Sequence, residues 1–322
     1  MNKETKIITI DHIDVLPGEQ KTIALSVGSL PSGTDISICV HVFRSMFKGP
    51  VVLVLAGVHG DEINGVEIVR RSVVNQFYDN LIKGSVIVIP LLNVYGFINF
   101  SRDVPDGKDV NRSFPGTKNG SLASRVAYTL TKKILPLIDF GIDYHTGGGS
   151  RFNYPQIRYG KTNKKAAELA LAFSAPFMIE KPYILKSLRK VAKDMKKPIV
   201  VYEGGESVRL DGFSISKGQD GLQRVLKHEG MIENAPDKEN KVINLKKTTW
   251  IRAPYSGLFT WTRKSGVFVH KGEPLGIVND VLGTTSATVL STRDGYIIGH
   301  NNASVVSQGD ALFHIGYDFK VL

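Results

Sequence analysis

Four short, almost uninterrupted apolar runs constrain the fold of this chain more than any other feature of its sequence. They lie at residues 51–56, 85–91, 138–144 and 197–205. Runs of fewer than ten residues are too short to cross a bilayer as a helix, but they suit β-strands buried on both faces. Stretches with the apolar spacing of a helix, such as residues 63–76 and 121–137, separate them. This alternation predicts an α/β fold with a mixed, mostly parallel sheet covered by helices on both faces.

Both ends of the chain show a different pattern. Before residue 48, short alternating stretches with Pro-Gly and Pro-Ser-Gly turns between them predict N-terminal β-strands. Near residue 240, the sequence ENAPDKENKVINLKK is polar and charged, as a connector would be. From Trp250 onward, short strands alternate with Gly and Asp-Gly turns. We therefore predict an α/β domain at residues 1–240 and a small all-β domain at residues 249–322.

The composition narrows the class of the protein and its partners. A single cysteine, Cys39, rules out a disulfide framework and a zinc site built from several cysteines. Much of the net charge of +11 lies in basic stretches at 161–165 and 186–197, which we interpret as solvated faces. No stacking aromatics or nucleic-acid motif accompany them, so we do not expect nucleic acid as a partner. Because the apolar runs are too short to cross a bilayer, we do not expect a membrane as a partner either. Because no apolar leader is visible, a cytoplasmic location is predicted.

Polar and titratable residues follow each of the four apolar runs. They are His59, Asp61 and Glu62 after the first run, Arg102, Asn111 and Arg112 after the second, His145 after the third, and Glu203 at the end of the fourth. In open α/β sheets, ligands bind beyond the carboxyl ends of the strands. We therefore expect these side chains to converge on one crevice.

These residue types suit metal-assisted hydrolysis. Two histidines and a glutamate form a recognised ligand set for catalytic zinc, so His59, Glu62 and His145 are predicted to bind one Zn²⁺ ion. Such an ion lowers the pKa of a water molecule and polarises a carbonyl group. Glu203 is the predicted general base and acid, and Arg102 is predicted to stabilise the developing oxyanion.

Asn111 and Arg112 are predicted to hold a carboxylate of the substrate, because an arginine can clamp a carboxylate with two parallel hydrogen bonds. Arg112 could instead form a structural pair with Asp109. An isolated H-x-x-E motif such as that of His59 and Glu62 is a weak signal, and an ordinary polar turn is the alternative. Its position between a strand and a helix favours the metal site.

Several further residues allow more than one interpretation. Asp61 is either a partner of a metal ligand or a carboxylate favoured by the dipole at a helix N-terminus. Asp143 lies two residues before His145 on the same side of its strand, and it could orient that histidine. Glu206 is the alternative to Glu203. The remaining histidines are interpreted as structural or surface residues: His12, His41, His228, His270, His300 and His314.

Four motifs resemble those of a known family. GVHGDE, DVNRSFPG, DYHTGG and VYEGGE are similar to motifs of the succinylglutamate desuccinylase/aspartoacylase family of zinc carboxypeptidase-like proteins, over about residues 15–235. The resemblance implies hydrolysis of an N-acyl amino acid to a carboxylate and a free amine. It also implies the roles already given: zinc ligands His59, Glu62 and His145, catalytic Glu203 and Arg102, and substrate-binding Asn111 and Arg112.

The C-terminal segment resembles the first half of a biotinyl/lipoyl-type β-domain, through RAPYSGLFTW and GVFVHKGEPLGIV. Such carrier domains present a lysine at a hairpin tip, but NDVLGTTSATVLST contains none. We therefore expect the scaffold without a covalent cofactor. This domain could cover the active-site mouth of its own chain or of a neighbour in a homo-oligomer.

The favoured hypothesis is a zinc-dependent hydrolase that cleaves the linear amide bond of a small N-acyl amino acid or a related N-acyl compound. A zinc carboxypeptidase acting on peptides or cell-wall fragments would use the same site. A non-catalytic binding protein on the same fold is the third hypothesis. The acyl group, the amino-acid side chain and the oligomeric state are left open by the sequence.

Overall fold

The computed structural model describes residues 2–322 of the chain. Its strands are β1 (Ile8–Ile10), β2 (Ile13–Val15), β3 (Gln20–Ser29), β4 (Asp35–Arg44), β5 (Val51–Ala56), β6 (Ser85–Ile89), β7 (Phe140–Gly147), β8 (Arg151–Tyr159), β9 (Phe177–Glu180), β10 (Ile199–Glu206), β11 (Ile243–Arg252), β12 (Gly257–Trp261), β13 (Phe268–Val269), β14 (Pro274–Asn279), β15 (Ser286–Leu290), β16 (Gly295–Asn301), β17 (Val305–Val306) and β18 (Ala311–Val321). Its α-helices are α1 (Ile63–Val74), α2 (Val94–Ile98), α3 (Leu122–Thr129), α4 (Lys164–Phe173), α5 (Leu188–Asp194) and α6 (Gly212–His228).

A mixed sheet of 12 strands forms the centre of the molecule, in the order β13-β16-β18-β11-β9-β8-β10-β7-β5-β6-β4-β3. The pairs β5–β6, β5–β7, β7–β10, β8–β9 and β9–β11 are parallel. The outer pairs, such as β3–β4 and β11–β18, are antiparallel. The prediction of an α/β fold with a mixed sheet is thereby confirmed. The expectation that the sheet is mostly parallel is wrong, because within the described residues seven of its strand pairs are antiparallel, among them the central pair β8–β10, and five are parallel. The covering of both faces by helices stays a prediction.

Alternate residues of the central strand β5 face two separate hydrophobic clusters. Val52 and Val54 belong to a cluster that includes Ile68 of α1 and apolar residues of α4 and α6. Leu53 and Leu55 belong to a second cluster, to which α3, β3 and β4 contribute. This two-sided burial explains why the apolar run at 51–56 is uninterrupted.

Two helical segments differ from the sequence pattern. The predicted helix at 121–137 is α-helical only to Thr129, and it continues as a π-helical turn and a 3-10 turn. Pro136 lies in the 3-10 turn, and it has no N–H with which to continue an α-helix. The sequence pattern does not predict α6, whose glycines lower its helix propensity. At Gly221 a Cβ would lie 2.1 Å from the ring of Phe173, so close packing requires glycine there.

The C-terminal strands are joined to the large sheet. β11 pairs in parallel with β9 and antiparallel with β18, and β16 pairs with β8. A separate four-stranded sheet contains β15, β14, β12 and β17. The division into domains at 1–240 and 249–322 stays a prediction. None of the helices in residues 2–322 is both long and apolar enough to span a membrane.

Candidate active site

The turn after β5 positions two of the predicted metal ligands, His59 and Glu62. Gly57 has a φ of +65°, in the left-handed region that glycine adopts without strain. A Cβ at Gly60 would lie 2.1 Å from the backbone of α2, so only glycine allows this close approach. Helix α1 begins directly afterwards, at Ile63. The turn is therefore fixed between a buried strand and two helices.

Three buried side chains converge at the carboxyl ends of β5 and β7. Nδ1 of His59 lies 2.7 Å from Oε1 of Glu62, and Nδ1 of His145 lies 2.7 Å from Oε2 of the same carboxylate. The two Nδ1 atoms are 3.2 Å apart. His59, Glu62 and His145 are only 3%, 2% and 4% exposed, so water does not screen them. The cluster brings together the three side chains that the sequence predicts as metal ligands.

The surroundings of both histidines favour metal binding through Nδ1. Oδ2 of Asp143 lies 2.8 Å from Nε2 of His145, so this carboxylate accepts the Nε2 hydrogen and leaves the Nδ1 lone pair facing the cluster. Nε2 of His59 lies 3.3 Å from Oδ1 of Asp109. Two such lone pairs at 3.2 Å require a proton or a cation near them. Together with the Glu62 carboxylate, this set of donor atoms fits Zn²⁺.

The electrostatics of the cluster favour a positive charge at its centre. Burial disfavours protonated histidine, but Asp143 and Glu62 raise the pKa of His145 well above its usual value. Burial also disfavours the Glu62 carboxylate, but His59 and His145 hold its pKa well below the usual value. Glu62 is therefore an anion that attracts a cation to the cluster.

Asp143→Asn is expected to weaken zinc binding about 10- to 100-fold, because the amide is a poorer partner for the Nε2 hydrogen of His145. Competition with a chromogenic chelator would measure this change. Asp61→Asn is the matched control, since Asp61 does not line the cavity that contains the cluster. Equal zinc affinity in Asp143→Asn and the unmodified protein would contradict the orienting role of Asp143.

Arg102 lies beside the cluster of His59, Glu62 and His145. Its Nη1 lies 3.3 Å from Oε1 of Glu62, and its Nη2 donates to Oδ2 of Asp109 at 3.0 Å. The pKa of Asp109 is lowered by His59 and Arg102, against the effect of burial. Asp109 thus lies between the guanidinium of Arg102 and the ring of His59, a predicted metal ligand. The sequence pattern did not assign this role to Asp109, although Asp109 belongs to the DVNRSFPG motif.

Asn111 and Arg112 line the same cavity as the cluster. Oδ1 of Asn111 accepts a hydrogen bond from the backbone N–H of Leu188 at 3.0 Å, which ties this loop to α5. Arg112 donates from Nη1 to the backbone oxygen of Asn111 at 2.7 Å. The alternative pair of Arg112 with Asp109 is absent from residues 2–322, since Asp109 binds Arg102. The exposed guanidinium of Arg112 therefore remains available to a ligand.

Glu203 lies on the strand next to that of His145. The two residues are direct partners in the parallel pair β7–β10, so their side chains project from the same face of the sheet. Oε1 of Glu203 accepts a hydrogen bond from Arg158 at 2.6 Å, and Oε2 accepts one from Asn153 at 2.7 Å. These two bonds hold the carboxylate in a fixed orientation. Glu206, the alternative to Glu203, lies outside this cavity.

A cavity of about 540 Å³ joins these groups. All seven site residues predicted from the sequence line it: His59, Glu62, Arg102, Asn111, Arg112, His145 and Glu203. Asp61 contributes instead to a neighbouring depression with Ser207 and Val208. The structure brings the seven residues together, and their individual roles stay predictions.

Other cavity residues were not found from the sequence. Asn153 and Arg158 lie on β8, and Lys181 and Arg189 lie after β9 and on α5. Strand β8 mixes polar cavity residues with apolar core residues, so its sequence contains no continuous apolar run. His314, which we interpreted as structural or surface, lines the cavity together with two residues of β11, Thr248 and Trp250. The C-terminal segment therefore supplies part of the cavity wall of its own chain.

Comparisons with known proteins place the chain among relatives of the same fold. The family model of the succinylglutamate desuccinylase/aspartoacylase catalytic domain matches residues 48–229. The N-alpha-acetyl-L-2,4-diaminobutyric acid deacetylase of Halomonas elongata is 26% identical over 281 residues, which cover 82% of this chain and 81% of that protein. A succinylglutamate desuccinylase/aspartoacylase structure from Rhodobacter sphaeroides has a TM-score of 0.84 and 26% identity, over 94% of this chain and 96% of that one.

A product-bound ectoine utilization protein from Ruegeria pomeroyi has a TM-score of 0.83 and 24% identity, over 94% of this chain and 97% of that one, which shows the fold alone. Fold and site together define an α/β protein with a His-Glu-His group at its strand ends. The chain belongs to the succinylglutamate desuccinylase/aspartoacylase family. The resemblance drawn from its four motifs is thereby confirmed.

Proposed function

We propose that this protein is a zinc-dependent hydrolase that cleaves the amide bond of a small N-acyl amino acid. One observation carries the proposal: the His-Glu-His cluster, Glu203, Arg102 and Arg112 all line a single cavity. The family model and the deacetylase name of the Halomonas elongata relative support amide hydrolysis. The size of the cavity suits a small molecule.

His59, Glu62 and His145 are the residues that would hold the metal. When bound, zinc would polarise the acyl carbonyl and lower the pKa of a water molecule. Asp143 would keep His145 in place through its bond to Nε2, and Asp109 lies 3.3 Å from Nε2 of His59, where it would restrain that ring by an ion-pair contact.

Glu203 moves the proton in the proposed reaction. Its carboxylate takes a proton from the attacking water as the water oxygen bonds to the acyl carbon. The same proton then passes to the nitrogen of the leaving amino acid as the C–N bond breaks. Arg158 and Asn153 maintain the orientation of this carboxylate during both transfers.

The two arginines have separate tasks. Arg102 lies next to Glu62, where it donates hydrogen bonds to the carbonyl oxygen as negative charge develops there. Arg112 and Asn111 hold the carboxylate of the amino-acid part, which aligns the amide bond with Glu203. The products are a carboxylate and a free amino acid.

Zinc-loaded protein is expected to release free amino acids from N-acyl amino acids and to leave dipeptides and tripeptides uncut. An assay for newly formed amines over a panel of both compound classes would measure this. Cleavage of peptides alone would support the carboxypeptidase hypothesis instead. Absence of cleavage with zinc bound would support the binding-protein hypothesis.

A further inference from the structure

The Glu203 carboxylate is held by two donors that both lie on strand β8. Its Oε2 accepts a hydrogen bond from Asn153, and its Oε1 accepts one from Arg158. A displacement of β8 would therefore move both donors. The edge of β8 that faces away from β10 pairs with β9 at residues 156–159 and with the C-terminal strand β16 at residues 151–153. Strand β16 thus contacts the strand that orients the proposed general base.

The contact between β16 and Asn153 is unusually close. Gly299 of β16 is the direct partner of Asn153 in the antiparallel pair β8–β16. A Cβ at Gly299 would lie 3.0 Å from Oδ1 of Asn153 and 2.8 Å from the backbone oxygen of Phe152. Since the side chains of direct partners share one face of a sheet, the Asn153 amide occupies the space that a side chain at Gly299 would need. The amide is therefore confined between β16 and Glu203.

Gln156 connects β16 to the second donor, Arg158. Gln156 is fully buried, and its Nε2 donates a hydrogen bond to the backbone oxygen of Ile298 at 3.1 Å. Its Oε1 accepts hydrogen bonds from Nε and Nη2 of Arg158, both at 3.4 Å. The guanidinium of Arg158 is thus held by Gln156 as well as by Glu203. Two consecutive residues of β16, Ile298 and Gly299, therefore support the two donors.

The position of a general base has a large effect on its rate of proton transfer. The base must lie within hydrogen-bond reach of the proton that it takes up. A displacement of about 1 Å can lower the rate on the order of 100-fold. Contacts that fix both oxygens of the Glu203 carboxylate are therefore expected to affect kcat even when they lie outside the cavity.

We propose that strand β16 positions the Glu203 carboxylate for proton transfer, with Gly299 and Gln156 as the positioning residues. This inference rests on the proposed function, in which Glu203 moves the proton. Neither Gly299 nor Gln156 is among the described residues that line the cavity, so neither contacts the substrate. Gly299 leaves room for the amide of Asn153, and Gln156 restrains the guanidinium of Arg158. The C-terminal segment thereby contributes to the reaction without supplying a reacting group.

Gly299→Ala tests the first of these contacts. The added Cβ should displace the Asn153 amide from Glu203 and lower kcat about 10- to 100-fold. Because the displaced groups act on the base, KM should stay within about threefold and zinc content should stay at one ion per chain. Steady-state kinetics and metal analysis of the zinc-loaded variant measure these quantities.

Gly295→Ala is the matched control on the same strand. A Cβ at Gly295 would lie 2.4 Å from the backbone oxygen of Gly316, which is an equally tight position. Gly295 pairs with β13 and not with β8 among the described residues. Its melting temperature should fall at least as far as that of Gly299→Ala, while kcat stays within about twofold. Equal losses of kcat in the two variants would overturn the inference.

A double-mutant cycle separates positioning from a general loss of structure. Asn153→Ala should lower kcat on the order of 10-fold, since it removes a hydrogen bond to a charged group. In that background, Gly299→Ala should lower kcat further by less than about threefold, because no amide is left to displace. Full, independent losses from the two substitutions would overturn the inference.

Gln156→Met gives a second test that does not depend on the folding of Gly299→Ala. Methionine keeps the length of the side chain and removes its hydrogen bonds to Ile298 and Arg158. We expect kcat to fall about 3- to 10-fold with KM unchanged, and no further fall when Arg158→Met is already present. An unchanged kcat in Gln156→Met would overturn the role of this residue.

NMR of the side-chain amide of Asn153 separates this inference from the proposed function. In isotope-labelled, zinc-loaded protein, Asn153→Ala identifies the signals by their loss. The signals should shift in Glu203→Gln and Gly299→Ala and stay in place in Gly295→Ala. Such shifts support the control of this carboxylate by β16, even if no N-acyl amino acid is hydrolysed. Signals that do not move in Gly299→Ala would overturn the inference, and hydrolysis by the unmodified protein would leave the proposed function intact.

Discussion

Glu203→Gln lowers kcat for N-acyl amino-acid hydrolysis by about 100- to 10,000-fold and leaves zinc content unchanged, if Glu203 transfers the proton. Glutamine keeps the size of the side chain and an oxygen that can accept from Arg158, but it cannot take up a proton from water. Since Glu203 takes up the proton only as the reaction proceeds, kcat and kcat/KM should fall together. Steady-state kinetics beside metal analysis of the same preparation measure both quantities.

Glu206→Gln is the matched control, because this second carboxylate of β10 lies outside the cavity and is expected to leave kcat within about twofold. Glu203→Ala should also bind zinc and lose nearly all hydrolysis. An active Glu203→Gln variant would show that another group is the base. Loss of zinc from that variant would instead assign Glu203 to the metal-binding set.

The second large effect is expected at the proposed metal ligands. His145→Gln should lose hydrolysis to background and bind zinc far more weakly than Asp143→Asn, because it removes one of three donor atoms. The His145→Gln substitution also leaves Asp143, which is only 2% exposed, without its hydrogen-bond partner His145. The melting temperature should therefore fall. Metal analysis, activity and thermal unfolding on the same samples measure the three consequences.

His300→Gln provides the control for a buried histidine elsewhere in the fold, since His300 is 6% exposed and bonds to Ser265 away from the cluster. It should keep one zinc ion per chain even if its melting temperature falls. Full zinc occupancy and normal hydrolysis in His145→Gln would contradict the ligand assignment.

The sequence predicted the centre of this molecule well because one physical constraint decides it. A strand buried on both faces must be apolar throughout, and the run at 51–56 coincides with β5. The carboxyl ends of β5, β7 and β10 meet at one edge of the sheet, so residues that follow distant apolar runs are neighbours. His59 and His145 could therefore be placed together without coordinates.

The far wall of the cavity could not be predicted in the same way. Arg158 lies on β8 and Lys181 directly follows β9. The positions of these two strands follow from pairing with β10 and β11 rather than from any local pattern. His314 reaches the cavity because β11 and β18 extend the large sheet. Nothing in the neighbouring sequence distinguishes it from the other scattered histidines. Its partnerless Nδ1 and its stack on Trp250 become visible only in three dimensions.

Titration of metal-free protein with zinc, with hydrolysis of an N-acyl amino acid as the readout, tests the zinc-hydrolase proposal most directly. Activity should be absent before zinc is added and should rise in proportion to zinc. The rise should end at one ion per chain, with one amine released for each carboxylate. Full hydrolysis by the metal-free protein, or none at saturating zinc over the whole substrate panel, would contradict the proposal.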